Sequence, residues 1–553
     1  MVKKKKNSRI IILSLISLCF MLCMFVAADV LGSKTVKASE EDEVVTTKAF
    51  GTENETMFQA YEWETDRDGN HWNRMADMSG KLSELGFSSV WLPPAYKGML
   101  GVDDTGYNPY DLYDLGEFYA NNNNNCIRTR YGTKDEYLRM IDRMHNNGLK
   151  VYADVVLNHK AGGEGIETVN ATMIDQNNRQ RAMGNVNIGA YTKFNFDVHG
   201  SKSRNNKYSS FKWNASCFDA VDWDGSISAE QNWNRGNIIY LLNGKRWDSP
   251  VDNENGNYDY LANLDVDFDC DYVVEEYKRW GAWYAEFANL DGFRLDAVKH
   301  IKFDFFKEWL RDVRRTTGKD LYSVAEYLDG NMNDLSRYVE ATAGETDVFD
   351  FPLWYKFRDV SKGSFDMRTL FRGTLSEKYP ELAVTFVENH DTQPGKEIKS
   401  KCMENWFKGA AYATILTRGG KACVFYGDYF GTNQTAEYPE TIPAMKDELE
   451  TLLRIRRDYA YGEQVDYLNA HSYIGWVRKG DYNHPNSGLA TVITNGYEDV
   501  YMTMNVGSQH AGEVWYDATG NVEGTVIIDG NGNGNFYTRG RNGGNCYSVW
   551  VKR

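Results

Sequence analysis

Cysteine is scarce in this chain and widely spread. Eight occur in 553 residues, and none has the C-x-x-C spacing of a zinc site or a thioredoxin-like redox centre. Cys19 and Cys23 fall in the first apolar segment. Cys126, Cys217, Cys270, Cys402, Cys423 and Cys546 are scattered over the remainder. Even parity leaves disulfides open in an oxidising compartment, while Cys423, inside the apolar run A-C-V-F-Y, reads as a buried thiol. Positive charge is short as well. Residues 1–38 hold seven of the 62 Lys/Arg and one of the 78 Asp/Glu, so the rest carries 55 positive and 77 negative groups, a formal charge of −22. That balance argues against nucleic acid or an anionic membrane as partner and suits a neutral ligand.

One long apolar segment stands out. Lys3–Lys6 and Arg9 form a basic head, Ile10–Ala28 is an uncharged apolar run, and Val36-Lys37-Ala38 offers small residues at cleavage spacing. This predicts a signal peptide over 1–38 and a secreted protein beginning near Ser39. A permanent membrane anchor is the competing reading, since the run is nearly long enough to span. After cleavage no membrane partner is expected. Aromatics are plentiful, with 36 Tyr and 15 Trp, which suits flat ligand-facing surfaces or ordinary core equally.

At 553 residues the chain is too long for a single core. Beyond the acidic Glu40–Glu43 stretch, strand-like and helix-like segments alternate. Phe87–Leu92 and Leu149–Leu157 read as strands; Thr133–Asn147, Asp271–Ala288 and Phe303–Thr316 read as helices, the first ended by Gly148. Such βα units build a parallel sheet. Between 158 and 270 the texture changes to Asn, Asp, Gly and Trp with few helix signals, which predicts an inserted β-rich domain. From about 461 onward, alternating runs such as Ser472–Arg478, Gly488–Ile493 and Ser548–Lys552 predict a C-terminal antiparallel sandwich. Asn121–Asn125 reads as a loop tip without chemistry. The expected fold is an α/β (β/α)8 TIM barrel over 50–157 and 271–460, with the insert and the sandwich attached.

Three strand-like runs each deliver a carboxylate at the carboxyl end: L-D-G-F-R-L-D-A-V-K with Asp296, L-Y-S-V-A-E-Y with Glu326, and A-V-T-F-V-E-N-H-D with Asp391. An acid where a buried strand emerges is costly unless it is used, and the carboxyl rim is where parallel barrels do chemistry. Two carboxyls of unequal acidity are what acetal cleavage requires. Arg294, two residues before Asp296 and on the same strand face, would keep that acid ionised as a nucleophile. The apolar approach Ser323-Val324-Ala325 would raise Glu326 and suit a general acid. Asp391 with His390 could bind sugar hydroxyls. Asn158-His159 ends a fourth strand. A second acidic group, Asp259, Asp265, Asp267 and Asp269 with Asp219 and Asp248 upstream, would repel itself without cations. Its oxygen-only donors favour calcium.

D-V-V-L-N-H (154–159), G-F-R-L-D-A-V-K-H (292–300), V-A-E-Y (324–327) and F-V-E-N-H-D (386–391) resemble the four ordered motifs of the alpha-amylase family of glycoside hydrolases. The similarity runs from about Thr56 to the C-terminus. It is greatest to secreted bacterial liquefying members, including W-L-P-P-A-Y-K-G (91–98), G-Y-N-P-Y-D-L-Y-D-L-G-E-F (106–118) and V-F-Y-G-D (424–428). The resemblance implies a retaining hydrolase of α-1,4-glucosidic bonds in starch-like glucans, acting as a monomer. An exo-acting or glycosyl-transferring member and a non-catalytic glycan-binding relative are the alternatives, the intact acid trio opposing the last. By resemblance Asp296 is nucleophile, Glu326 acid/base and Asp391 transition-state stabiliser. His159, Arg294 and His390 line the cleavage subsite, Lys299 and His300 lie on the leaving-group side, and Trp63 and Tyr107 contact sugar. Asn158, Asp219, Asp248, Asp259, Asp265, Asp267, Asp269 and the backbone of His300 would hold a calcium–sodium–calcium cluster. Three departures stand out. Glu388 replaces a frequent Asp, and Leu328 replaces a frequent Trp, which puts a leaving-side platform in doubt. Ser472 and Asn495 replace aspartates of a further calcium site, expected weak or absent.

Overall fold

The computed structural model describes residues 54–120, 126–236, 238–394, 402–434 and 441–553, with the backbone of 45–46. The expected signal peptide 1–38 and the Asn121–Asn125 run lie outside the described residues. Among the described residues no helix is long and apolar enough to cross a membrane.

Eight parallel strands close into a barrel. They are β1 Thr56–Gln59, β2 Ser89–Leu92, β3 Lys150–Val155, β4 Gly292–Leu295, β5 Tyr322–Ala325, β6 Asp347–Phe349, β7 Ala383–Phe386 and β8 Lys421–Phe425. Each is followed by a helix before the next strand, from α1 His71–Glu84 after β1 to Lys446–Tyr459 after β8. The strands are nearly continuous apolar runs because both faces are covered. Gly292 is glycine for a steric reason: a Cβ there would stand 2.3 Å from the carbonyl oxygen of Tyr322 on the adjacent strand. The helix preceding β3, α2 Lys134–Asn146, starts at a capping box in which Thr133 accepts from the Glu136 amide and Glu136 from the Thr133 amide. That reciprocal pairing satisfies two orphan donors at the helix start.

The segment after β3 forms a six-stranded antiparallel sheet that returns to the barrel through Leu264–Val266. Its most extended part is the hairpin Gly165–Asp175 with Asn178–Lys193; the first strand alternates half-buried and exposed positions over Gly165–Asn170, and the second is mainly exposed over Gln180–Asn187. The C-terminal region forms a seven-stranded antiparallel sheet and a two-stranded ribbon, Val500–Asn505 with Asn533–Thr538. They enclose a core that includes Val477, Trp515, Phe536 and Trp550. Val45–Thr46 adds an edge to this sheet by pairing with Gln464–Tyr467, a connection that local sequence texture does not reveal. Cys217, Cys270, Cys423 and Cys546 are free thiols, with Cys423 buried in β8.

Candidate active site

At the carboxyl rim the parallel register brings Arg294 of β4 opposite Asp154 of β3 and Val324 of β5. The ladder runs on past the strand ends: the Asp296 amide donates to Val155 and the Glu326 amide to Leu295. Asp296 and Glu326 therefore emerge side by side. Arg294 is fully buried beneath them, and its guanidinium is the hub of the site. Nη1 lies 2.8 Å from Asp154 and 2.5 Å from Asp296, while Nη2 lies 3.4 Å from Glu326. A planar fork with five donors can hold several carboxylates at once in fixed directions.

The polarity of the two acids differs in degree. Burial raises Asp296 above the ordinary carboxyl value, with Arg294 pulling it back down and Asp391 pushing it up. Glu326 is pushed up to about 8, chiefly by burial, against the pull of Arg294. The guanidinium expected to orient Asp296 thus serves Glu326 as well. It reaches both acids, and it holds Asp296 more closely. Glu326 receives in addition the amide of Ala297, at 2.8 Å. Ala297 occupies the left-handed region at φ 50°, an uncommon conformation for a residue with a Cβ. That bend aims its N–H at Glu326 and starts the short turn Val298–His300.

Asp154 was not among the expected site residues, although it opens the first quoted motif. It is buried and accepts from Trp91 Nε1 at 2.9 Å, Tyr107 at 2.8 Å and Tyr61 at 3.1 Å. Its partner Arg294 is 140 residues away, so only the barrel register shows the contact. His390 receives Gln59 Nε2 at Nδ1, 3.0 Å away, and its Nε2 lies 3.2 Å from Asp391. Its ring stacks on Tyr107 at 5.1 Å, and Tyr107 stacks on Trp63 at 5.6 Å. His159 meets the Tyr107 carbonyl at 2.9 Å. Trp63, Tyr107 and His159 line an open cleft of about 700 Å³ together with Asp296, Glu326 and Asp391, whereas Arg294 and His390, both buried, are not part of that lining.

Lys299 and His300 sit on another side of the same cleft. Burial works against the charge of Lys299, but Asp252 and Glu254 outweigh it and raise its pKa. Its Nζ is 3.1 Å from Glu254 and 3.5 Å from Asp329, over the ring of Tyr258. His300 donates to the Tyr258 carbonyl at 2.6 Å and is kept neutral by burial, with its pKa lowered to about 3. Tyr258, Glu254 and Asp329 escaped sequence reading because they come from irregular loops without periodicity. Leu328 lines the cleft beside Asp329. Glu388 lies under the Asp391 segment, buried, with neither carboxylate oxygen hydrogen-bonded and Lys408 at 3.9 Å. Burial pushes it up to about 8.

The second acidic cluster assembles where the insert meets the barrel. Asp219, Asp248 and Asp259 are buried and place carboxylate oxygens within 4.8 Å of one another. Asp265 lies 3.5 Å from the Asn158 side-chain amide. One oxygen each of Asn158, Asp219, Asp248 and Asp265 is buried without a hydrogen-bond donor. Burial, reinforced by neighbouring aspartates, raises Asp219 to about 10 and Asp248 to about 7, and lifts Asp259 and Asp265. An all-oxygen set that cannot stay anionic on its own fits a hard cation. The other two aspartates have protein cations. Asp267 pairs with Lys245, and Asp269 pairs with Arg246 at 2.6 Å and Lys302 at 2.8 Å. Ser472 and Asn495 meet through backbone, the Asn495 amide donating to the Ser472 carbonyl, while the Asn495 side chain donates to Phe365.

Comparison with known proteins agrees with this geometry. An alpha-amylase from Geobacillus stearothermophilus is 49% identical over 510 residues, covering 92% of this chain and 88% of the relative. An alpha-amylase from Bacillus licheniformis is 46% identical over 90% of this chain and 94% of its own length. A glucan 1,4-alpha-maltohexaosidase from Bacillus sp. (strain 707) is 45% identical over 90% of this chain and 93% of its own. Among solved structures, the alpha-amylase of Geobacillus thermoleovorans complexed with acarbose superposes with a TM-score of 0.59 at 15% identity, over 90% of this chain and 98% of that one. The family described as alpha amylase, catalytic domain, matches residues 65–464, and with the rim acids in place the chain belongs to the alpha-amylase family.

Proposed function

We propose that the protein is a secreted retaining α-amylase that cleaves internal α-1,4-glucosidic bonds of starch-like glucans. The observation that carries this reading is the single buried guanidinium that serves both Asp296 and Glu326 at the base of an open cleft. Glu326, kept protonated near neutral pH, donates its proton to the departing glycosidic oxygen. Asp296 attacks the anomeric carbon and forms a covalent glycosyl intermediate. Glu326, now ionised, draws the proton from an incoming water, which releases the sugar with its configuration retained. Asp391 and His390 face the ring on which positive charge develops, and the stacked rings of Trp63 and Tyr107 seat its apolar face. Lys299 and His300 hold the leaving chain.

The aspartate cluster supports calcium as the resident cation, held by Asn158, Asp219, Asp248, Asp259 and Asp265. Bound there, it would neutralise the carboxylates and tie the insert to the barrel. The basic head and apolar run of the first 38 residues support export. The maltohexaosidase relative favours a second reading, release of defined maltooligosaccharides from chain ends. A chromatographic time course on amylose decides: endo cleavage gives a rapid fall in polymer size with mixed products, exo cleavage a single short product from the start. Proton NMR should show the α-anomer first, and early β-anomer would overturn the retaining step.

A further inference from the structure

The irregular segment between Ile238–Leu242 and Leu264–Val266 carries a carboxylate that the cleavage chemistry does not touch. Asp252 is 3% exposed and stands behind the cleft wall, outside its lining. Its backbone and its side chain are both engaged. The amide donates to the Lys299 carbonyl at 3.0 Å, and the carbonyl accepts from the Tyr258 amide at 2.9 Å. One carboxylate oxygen accepts from the Glu254 amide at 2.7 Å, and the other accepts from the hydroxyl of Tyr327. Lys299, Tyr258 and Glu254 line the cleft. Tyr327 directly follows the proposed general acid in the chain.

That acid has little regular structure around it. β5 ends at Ala325, so Glu326 is the first residue past its strand, and no helix or strand begins again before Met332. A segment of this kind keeps a single shape only where side chains tie it down. Tyr327 is such a tie. Its ring is fully buried, outside the cleft lining, and packs on Phe303 at 6.1 Å and Tyr338 at 5.5 Å. Burial and the nearby Asp252 keep its hydroxyl protonated, and so a donor. Packing seats the ring, and the bond to Asp252 fixes its far end. A general acid must stand within hydrogen-bond reach of the oxygen it protonates, and a misplacement of about 1 Å can cost about a hundredfold in rate. Freedom in Tyr327 becomes error in Glu326.

We propose that Asp252 is a positioning residue for the general acid, acting through the Tyr327 hydroxyl to hold Glu326 where it protonates the departing oxygen. The inference rests on the reading of Glu326 as that acid. Its side chain can be tested alone, because the backbone bonds of Asp252 to Lys299 and Tyr258 survive substitution. The test compares kcat/KM on two substrates with the same sugars. One is a maltooligosaccharide, whose leaving alcohol needs protonation. The other is its aryl glycoside with an acidic phenol, followed by phenol release, which needs little. Asp252→Ala and Tyr327→Phe should each lower kcat/KM on the maltooligosaccharide about ten- to a hundredfold, with the aryl glycoside within about twofold of wild type. The double variant should lose no more than either single one, since both break the same contact. Asp252→Asn should restore most of the activity, because its oxygen accepts from Glu254 while its amide donates to the Tyr327 oxygen. Equal losses on both substrates in Tyr327→Phe, which keeps the packed ring, would make the contact merely structural and overturn the proposal. So would wild-type rates in that variant, additive losses in the double variant, or a loss in Asp252→Asn as large as in Asp252→Ala. If Asp252→Ala fails to fold, Tyr327→Phe and Asp252→Asn decide by themselves. Wild-type kcat/KM of Glu326→Gln on the maltooligosaccharide would instead sink the assignment of the acid, whatever the Asp252 variants show.

Discussion

Two groups of buried carboxylates lie on opposite sides of one dipeptide, and they are neutralised in opposite ways. His159 faces the cleft, whereas Asn158 faces Asp265 in the insert. On the cleft side Asp154, Asp296 and Glu326 share the guanidinium of Arg294. On the insert side, no ion pair among the described residues reaches Asp219, Asp248, Asp259 or Asp265. One cluster carries its cation in the sequence, and the cation proposed for the other would come from solution. A covalently supplied cation leaves the acids fixed in place yet able to exchange protons, which is what catalysis uses. An external cation leaves them saturated, which is what a structural joint uses.

The largest effects should come from breaking the first cluster. Asp296→Asn should lower kcat by roughly four or more orders of magnitude on every substrate, because no other group can attack the anomeric carbon. Residual cleavage of amylose near the wild-type rate would remove Asp296 from the nucleophile's role. Glu326→Gln should lose about 10²–10⁴-fold on starch and recover partly on substrates with an acidic leaving group. Arg294→Met leaves three buried acids without their cation. It should cost about 3–5 kcal/mol of stability by breaking a buried pair, read as a fall in the urea midpoint. An unchanged midpoint would show that the hub does not hold these acids.

Breaking the second cluster should act on stability first. Excess chelator should lower the melting temperature, as removal of any ligand that binds only the folded state must, by about 2.7 kcal/mol for an ion at a hundred times its Kd. Asp265→Asn should imitate chelation and respond little to further chelator. If the chelated and loaded proteins melt together, the cluster does not hold a cation.

Both clusters were largely legible in the sequence because each acid follows an apolar run or alternates along one. The barrel likewise announced itself through strand–helix alternation. What escaped depends on register and distance. Asp154 reads as an ordinary strand residue until Arg294 is set opposite it, and the edge pairing of Val45–Thr46 with Gln464–Tyr467 spans more than four hundred positions. The hairpin Gly165–Asp175/Asn178–Lys193 lacked a clear signal because much of it carries polar side chains on both faces.

A smaller effect should appear in pH dependence. Glu326 must be protonated in the free enzyme, so kcat/KM should fall about tenfold per unit as pH rises beyond about 8. The sign for stability follows from the same shift. A carboxyl raised in the folded state binds a proton that the unfolded chain has released. Its stabilising contribution is therefore complete below the ordinary carboxyl range and declines as pH climbs towards about 8. An alkaline limb unmoved by Glu326→Gln, in its residual activity on activated substrates, would assign that limb to another group.

The smallest expected effect concerns the cleft wall alone. Leu328 is half-buried and lines the cleft two residues after Glu326, beside Asp329 and near Lys299. A leucine there offers apolar contact but no flat face, so on the proposed reading the leaving-side sugar rests mainly on Lys299 and the neighbouring Tyr258. Leu328→Trp would supply a ring at a position open enough to receive one. One aromatic contact is worth about 0.5–1.5 kcal/mol, so KM on long glucans should fall about two- to tenfold. Because that contact forms equally in the ground and transition states, kcat should stay the same. A fall in kcat with KM unchanged would mean that the new ring displaces Glu326 or Lys299 instead of seating sugar. Leu328 would then be packing that holds the acid in place, and the contrast between a fixed catalytic cluster and a tunable wall would have to be redrawn.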